Sequence, residues 1–326
     1  MRLPHCATTG IGSLPHTDVD AALRLAFAHD VPFVPQLPRA GPGELMVPSA
    51  LEGLPGLVVD GGGACTVNLE AWRAQRDVFT LKLETALSTG ELTSFEPGVA
   101  SCRSFRPFLR EVESRKLPFA KVQLAGPATV RQAVKTDFAE LERQIFRLLL
   151  ARSLAMAKAV RRAGATPIVF IDEPGLEVPA PSDLEALISA LQREGALVGL
   201  HCCRNTSWGR VLTLGLDVLS IDARLSLDAL LDDAEAFGSF ISAGSTLALG
   251  IVPTDPTARY ALGELIDSVE VSLRATAPKG FTLEALLAQT MLTPACGLAL
   301  HEVRDAERIA GEVREAQRLL LRASSP

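Results

Sequence analysis

The chain has no surplus of positive charge: 32 Lys and Arg stand against 38 Asp and Glu, a formal net charge of -6. That balance argues against a nucleic-acid polyanion as the main partner. Apolar runs long enough to span a bilayer are also lacking, because the longest are strand-sized and interrupted by charge. Residues 1–9 carry Pro4 and His5 and no apolar stretch, so no targeting segment is expected. Low-complexity tracts, internal repeats and linkers are missing as well. Cysteine is scarce, six in 326 residues, too few for a disulfide scaffold and suited to a reducing compartment. These absences lead to the expectation of a cytoplasmic protein with free thiols, one domain over residues 1–326, and neither nucleic-acid nor membrane partners.

What is present is 48% hydrophobic residues, enough to bury a large core. Short apolar runs alternate with helical patterns, the signature of βα units around a parallel sheet. Strands are predicted at 7–11, 33–36, 120–125, 167–171, 197–201, 218–221, 247–251 and 286–292. Eight is the number that closes a (β/α)8 TIM barrel, the α/β fold predicted here. Helices are predicted at 19–28, 138–162, 182–193, 227–237, 257–275 and 305–321. Residues 40–116 are too many for a simple connection between strands two and three. They are read as an inserted excursion, with a hairpin around 57–60 and the Gly61–Gly63 turn, a helix over 69–88, and a place on the rim of the barrel mouth.

Chemistry-bearing residues gather at the predicted strand ends. In Gly199-Leu200-His201-Cys202-Cys203, His201 and Cys203 are two apart and project to one side, with Cys202 on the other. An imidazole and a thiolate on one side are half of a tetrahedral zinc site, and Cys296, before Gly297, is a candidate third ligand. A His-x-Cys on a strand is by itself more often core than ligand; its position at a barrel strand end favours the ligand reading. Asp172 and Glu173 close strand four as a turn or helix-capping pair, or as an inward carboxylate that captures an ammonium group. Asp222 closes strand six and is a candidate fourth ligand. The first strand ends in Thr9-Gly10-Ile11-Gly12-Ser13, where glycines permit close approach and Ser13 offers a hydroxyl.

Taken together, Thr9-Gly10-Ile11-Gly12-Ser13, Ile171-Asp172-Glu173-Pro174, His201-Cys202-Cys203 and Pro294-Ala295-Cys296-Gly297-Leu298 resemble, in order, four motifs of the cobalamin-independent methionine synthase family. The likeness is to its C-terminal catalytic barrel. The resemblance implies zinc held by His201, Cys203 and Cys296, with Asp222 where the family has a glutamate. It implies methyl transfer to homocysteine, whose amino-acid portion Ile11, Ser13 and Asp172 would hold, with Glu44 a further candidate for the ammonium.

Two departures bear on the methyl donor. Members of the family carry two barrels, and this chain has room for one. The family's histidine after strand seven is missing from Leu249-Gly250-Ile251-Val252-Pro253-Thr254-Asp255-Pro256, leaving Asp255 as the candidate acid. Methyltetrahydrofolate needs an acid for its leaving nitrogen, whereas a methylated corrinoid such as methylcobalamin needs none. The expected donor is therefore a corrinoid presented by a corrinoid-carrying protein. A zinc-free enzyme like uroporphyrinogen decarboxylase and a non-catalytic thiol- or corrinoid-binding protein are the alternatives.

Overall fold

A computed structural model describes residues 3–176, 182–204, 206–278 and 280–323. The chain opens with β1 (Ala7–Thr8) and α1 (Val19–Ala26), the latter capped by the Asp18 side chain on the Ala21 N–H. The excursion follows as α2 (Met46–Ala50), the hairpin β2 (Leu57–Val59) and β3 (Cys65–Val67), α3 (Leu69–Thr89) and α4 (Phe105–Arg115). Next come β4 (Phe119–Ala125), α5 (Pro127–Ala133), α6 (Ala139–Arg162), β5 (Thr166–Asp172) and α7 (Ser182–Arg193). Then β6 (Leu197–Cys202), α8 (Trp208–Leu212), β7 (Val218–Asp222), α9 (Ala223–Leu231) and α10 (Ala234–Ser242). The chain closes with β8 (Thr246–Val252), α11 (Leu262–Ala275), α12 (Leu283–Leu287), β9 (Thr290–Pro294) and α13 (Val303–Ala323).

Seven strands pair in parallel in the order β1-β9-β8-β7-β6-β5-β4, a curled sheet. The eighth strand predicted at 33–36 is not formed as such. Its segment lies between the two sheet edges and meets each through one parallel bridge, Ser13 with Gln36 and Phe33 with Lys121. Pro32 and Pro35 explain the interruption, because each removes a ladder donor. The closed eight-stranded barrel is thus replaced, among the described residues, by a seven-stranded half-barrel with an irregular eighth stave.

Other boundaries move for local reasons. β1 stops at Thr8, short of Gly10 and Gly12. The helix expected over 227–237 is two helices, since Asp233 starts α10 by accepting from the Ala236 N–H. The helix expected from 257 begins at Leu262, behind a turn held by Asp255. The last predicted strand starts too early: Leu286 and Leu287 belong to α12, capped by Thr282, and β9 begins at Thr290. In the excursion, hairpin and helix form as predicted. The helix α3 runs beside α6, held by Arg76–Glu140 and Arg147–Glu84 ion pairs.

The concave face of the sheet is filled at its lower level by Ala7, Phe119, Ile168, Phe170, Val218 and Met291. Gly199 makes room for this floor, since a Cβ there would come within 2.7 Å of the Phe170 ring. Above the floor the inward side chains turn polar.

Candidate metal centre

The register of the sheet sets the site. Asp172 on β5 pairs with His201 on β6, and His201 with Ser220 on β7, so the three stand on one rung. Cys203 follows two residues beyond His201, and Cys296 lies just past the end of β9. The ligand atoms of His201, Cys203 and Cys296 all lie within 4.8 Å of one another. The two sulfurs are 3.9 Å apart. Cys202 is turned to the other side, buried, with its thiol donating to the Arg204 carbonyl. All six cysteines are free thiols.

His201 is oriented from behind: its Nδ1 is 3.0 Å from the Ser220 hydroxyl, while its Nε2 is buried without a hydrogen-bond partner. In the tautomer that donates Nδ1–H to Ser220, Nε2 presents its lone pair toward the thiols. The hydrogen bond between the sulfurs makes the first thiol proton easy to lose and the second hard. Cys296 is held low by that bond and by the neighbouring His201, and Cys203 is pushed up by the same bond and by burial. An unpartnered imidazole nitrogen facing two thiols fits a thiophilic divalent metal.

Asp172 is buried beside this cluster and its Oδ1 has no partner. Burial pushes its carboxyl up to about 6, with His201 and Lys121 opposing. Glu173 takes the capping role instead: its carboxylate accepts from the Ala128 and Thr129 N–H groups and the Thr129 hydroxyl at the start of α5. Gly126 is required there, since a Cβ would collide with that carboxylate. The Asp-Glu-Pro pair therefore splits, one carboxylate structural and one facing the site.

Ser13 joins the loop after β1 to the metal loop. Its carbonyl accepts from the Leu298 N–H at 2.8 Å, and its hydroxyl stands where a Cβ on Gly297 would fall. The Ile11 carbonyl is engaged by the Lys121 ammonium at 2.6 Å. Glu44 is not available to a substrate, because it is fully buried, accepts from the Leu37 N–H and is ion-paired with Arg103. Asp222 is the N-cap of α9, where Oδ1 accepts from Arg224 and Leu225 N–H, and it is outside the three-donor cluster. Burial first, and then Cys296, raises its pKa, so it borders the cluster as a helix cap.

Asp255 departs furthest from expectation. Its carboxylate is exposed and accepts from the Thr257 N–H and hydroxyl, bonds that hold it below the usual carboxylate range. A group that gives up its proton so readily is the wrong acid for a leaving nitrogen. His301, from the loop after β9, reaches the same segment, with its Nε2 2.9 Å from the Thr254 carbonyl.

Sequence reasoning missed three groups. Ser220 and Thr293 sit on inward strand positions, and Thr293 Oγ1 is buried without a partner. Lys121, in the middle of β4, is fully buried. Each breaks the apolar alternation of its strand, a signal that was there to be read.

No protein-family model matches the chain. No curated protein matches it either. Among solved structures it is similar to a B12-independent methionine synthase from Shewanella sp. W3-18-1 in complex with selenomethionine, at 13% identity, covering 66% of this chain and 67% of that one, with a TM-score of 0.42. It is also similar to a 3-keto-D-glucoside 4-epimerase from E. coli in apo form, at 10% identity, covering 65% of this chain and 85% of that one, with a TM-score of 0.37. No described helix is long and apolar enough to cross a membrane.

Proposed function

We propose that the protein is a zinc-dependent methyltransferase that moves a methyl group to a small thiol, with homocysteine the acceptor that its motifs imply and methionine the product. The observation that carries this reading is the cluster of His201, Cys203 and Cys296 at the strand ends, with all ligand atoms within 4.8 Å. One imidazole and two thiols from the ends of two strands suit zinc, and three protein donors leave a position for substrate. Bound there, zinc supplies the Lewis acidity that lets an acceptor thiol lose its proton near neutral pH.

The chain's own residues do the positioning. Ser220 fixes the ring of His201 through Nδ1. Asp172 offers a buried, unpaired oxygen to a polar hydrogen of the acceptor. Ser13 anchors the segment that carries Cys296.

A methylated corrinoid, brought by a corrinoid-carrying protein, is the donor this reading favours over methyltetrahydrofolate. The folate would need an acid at its leaving nitrogen, and Asp255 is exposed and held ionised. Cobalt(I) leaves without a proton.

The test is metal content by mass spectrometry on protein purified without added metal, comparing the wild type with Cys203→Ala and Cys296→Ala. About one zinc per chain is expected in the wild type and almost none in either variant. Homocysteine added to the zinc-loaded wild type should release a proton. Zinc retained by both variants would sink the proposal, and equal rates with methylcobalamin and methyltetrahydrofolate would remove the donor preference.

A further inference from the structure

Cys203 stands just past the end of β6 and Cys296 just past the end of β9, with β7 and β8 between those strands in the sheet. Neighbouring strands are about 4.8 Å apart, so roughly 14 Å of sheet separates the two ends. The sulfurs are nonetheless 3.9 Å apart. Side chains alone do not close such a gap, so the backbone after β9 has to leave the line of its strand and come inward. β8 is the strand it must pass.

The passage is visible at Gly250. Ala248 lies in the concave floor, and Leu249 and Ile251 pack into the outer core, so alternation aims position 250 into the barrel. A Cβ there would meet backbone: Ala295 Cα at 2.6 Å, the Ile221 carbonyl oxygen of β7 at 2.7 Å and the Pro294 carbonyl oxygen at 3.2 Å. The space of one inward side chain is thus taken by the chain that leads to Cys296. The strand pairing bends at the same place. Gly250 pairs with Thr293 but Val252 with Pro294, so β8 carries one extra residue, the mark of a β-bulge, and the Val252 carbonyl accepts from the Ala295 N–H at 2.9 Å. Gly250 does not have left-handed backbone, so its bareness serves space alone. Beyond the crossing, the Ser13 carbonyl accepts from the Leu298 N–H at 2.8 Å and holds the far side.

We propose that Gly250 is a positioning residue of the metal centre, whose missing side chain opens the path over β8 that carries Cys296 to Cys203. Its consequence for metal rests on the zinc-dependent reading above; the meeting of the two thiols does not. Among the atoms that a methyl group would strike, the Ile221 oxygen belongs to a strand fixed in the middle of the sheet, whereas Pro294 and Ala295 stand at the end of one. The strand end is what gives way. Cys296 then swings off, and His201 and Cys203 remain as a two-donor site.

The test compares Gly250→Ala with the wild type, and with Cys296→Ala as the reference for a lost donor. Loaded with cobalt(II), the wild type is expected to show the thiolate-to-metal charge-transfer band of two sulfurs, and Gly250→Ala about half of it, as Cys296→Ala does. Zinc affinity in competition with a chelator should fall by about 10–100-fold. Without any metal, phenylarsine oxide, which bridges two adjacent thiols, should protect Cys203 and Cys296 of the wild type from alkylation and fail to protect them in Gly250→Ala. A glycine that matters for stability alone would lower the unfolding midpoint and leave the band, the affinity and the bridge as they are. A folded Gly250→Ala with both sulfurs on cobalt, zinc affinity within about twofold and an intact bridge would overturn the proposal. So would a variant that does not fold, since the strand end would then not be the part that yields, and so would a wild type whose two thiols the arsenical does not bridge. A wild type that binds neither metal yet is bridged, with the bridge lost in Gly250→Ala, would end the zinc reading and leave the placement of Cys296 by Gly250 standing.

Discussion

The molecule buries polar groups in two regions, and it treats them differently. In the excursion the buried carboxylates of Glu44 and Glu96 and the half-buried one of Glu52 all have company. Glu44 is matched by Arg103 and the Leu37 N–H, and Glu52 by Arg152, the Ser101 hydroxyl and the Gly98 N–H. Glu96 is ion-paired with both Arg106 and Arg162. At the strand ends, by contrast, Asp172 Oδ1, His201 Nε2 and Thr293 Oγ1 are buried with no partner. A buried group left unbonded costs roughly 1–3 kcal/mol, so three in one place is a cost that a fold does not carry for its own sake. Other orphans, such as His29 Nδ1 and Trp72 Nε1, are not part of the metal-donor cluster. The excursion has orphans of its own in Trp72 Nε1 and Glu96 Oε2, but its carboxylates are ion-paired; on the proposed reading the strand ends are where a metal and a substrate would complete the bonding.

The largest effect that would sharpen this contrast lies in the scaffold. Arg103→Met leaves Glu44 buried and unpaired, and should cost about 3 kcal/mol of stability in a denaturant titration. Zinc content of the folded fraction should not change. Zinc loss in that variant, at unchanged stability, would exchange the roles of the two regions and return Glu44 to the site.

A smaller effect is expected within the site. Ser220→Ala removes the group that orients His201, and should weaken zinc binding by about 10–100-fold in competition with a chelator. The fold itself should be little disturbed. An affinity within about twofold of the wild type would mean that Ser220 merely fills space, and the rung of Asp172, His201 and Ser220 would lose its meaning.

The same contrast explains what was legible in the sequence. His201, Cys203 and Cys296 could be read because metal donors are rare residue types and the period of two assigns each a side. The parallel sheet could be read from its apolar runs, but not the irregular stave at 33–36, where composition says strand and Pro32 and Pro35 withhold the donors. Glu44, Asp222 and Asp255 have partners that the sequence does not show, for a single reason. A carboxylate in a sequence does not announce its partners, and all three are engaged, by Arg103, by the start of α9 and by Thr257. Lys121 was passed over, although it is one of only six lysines and a lysine at an inward position of Phe119-Ala120-Lys121-Val122-Gln123 has nowhere to go but the core.

The smallest effect belongs to Asp255, which is partnered like the scaffold yet exposed like neither region. Thr257 holds its carboxylate below the ordinary range, so it is ionised at every pH above that range and has no proton to give near neutrality. Asp255→Asn should therefore leave methyl transfer from a methylated corrinoid within about twofold, and leave the pH profile between about 5 and 9 in place. If the substitution instead slowed transfer from methyltetrahydrofolate and removed the acid limb of its profile, Asp255 would be carrying a proton that its surroundings here do not let it keep. The loop would then have to rearrange around the donor, and the division between a saturated scaffold and an open site would hold for the resting protein alone.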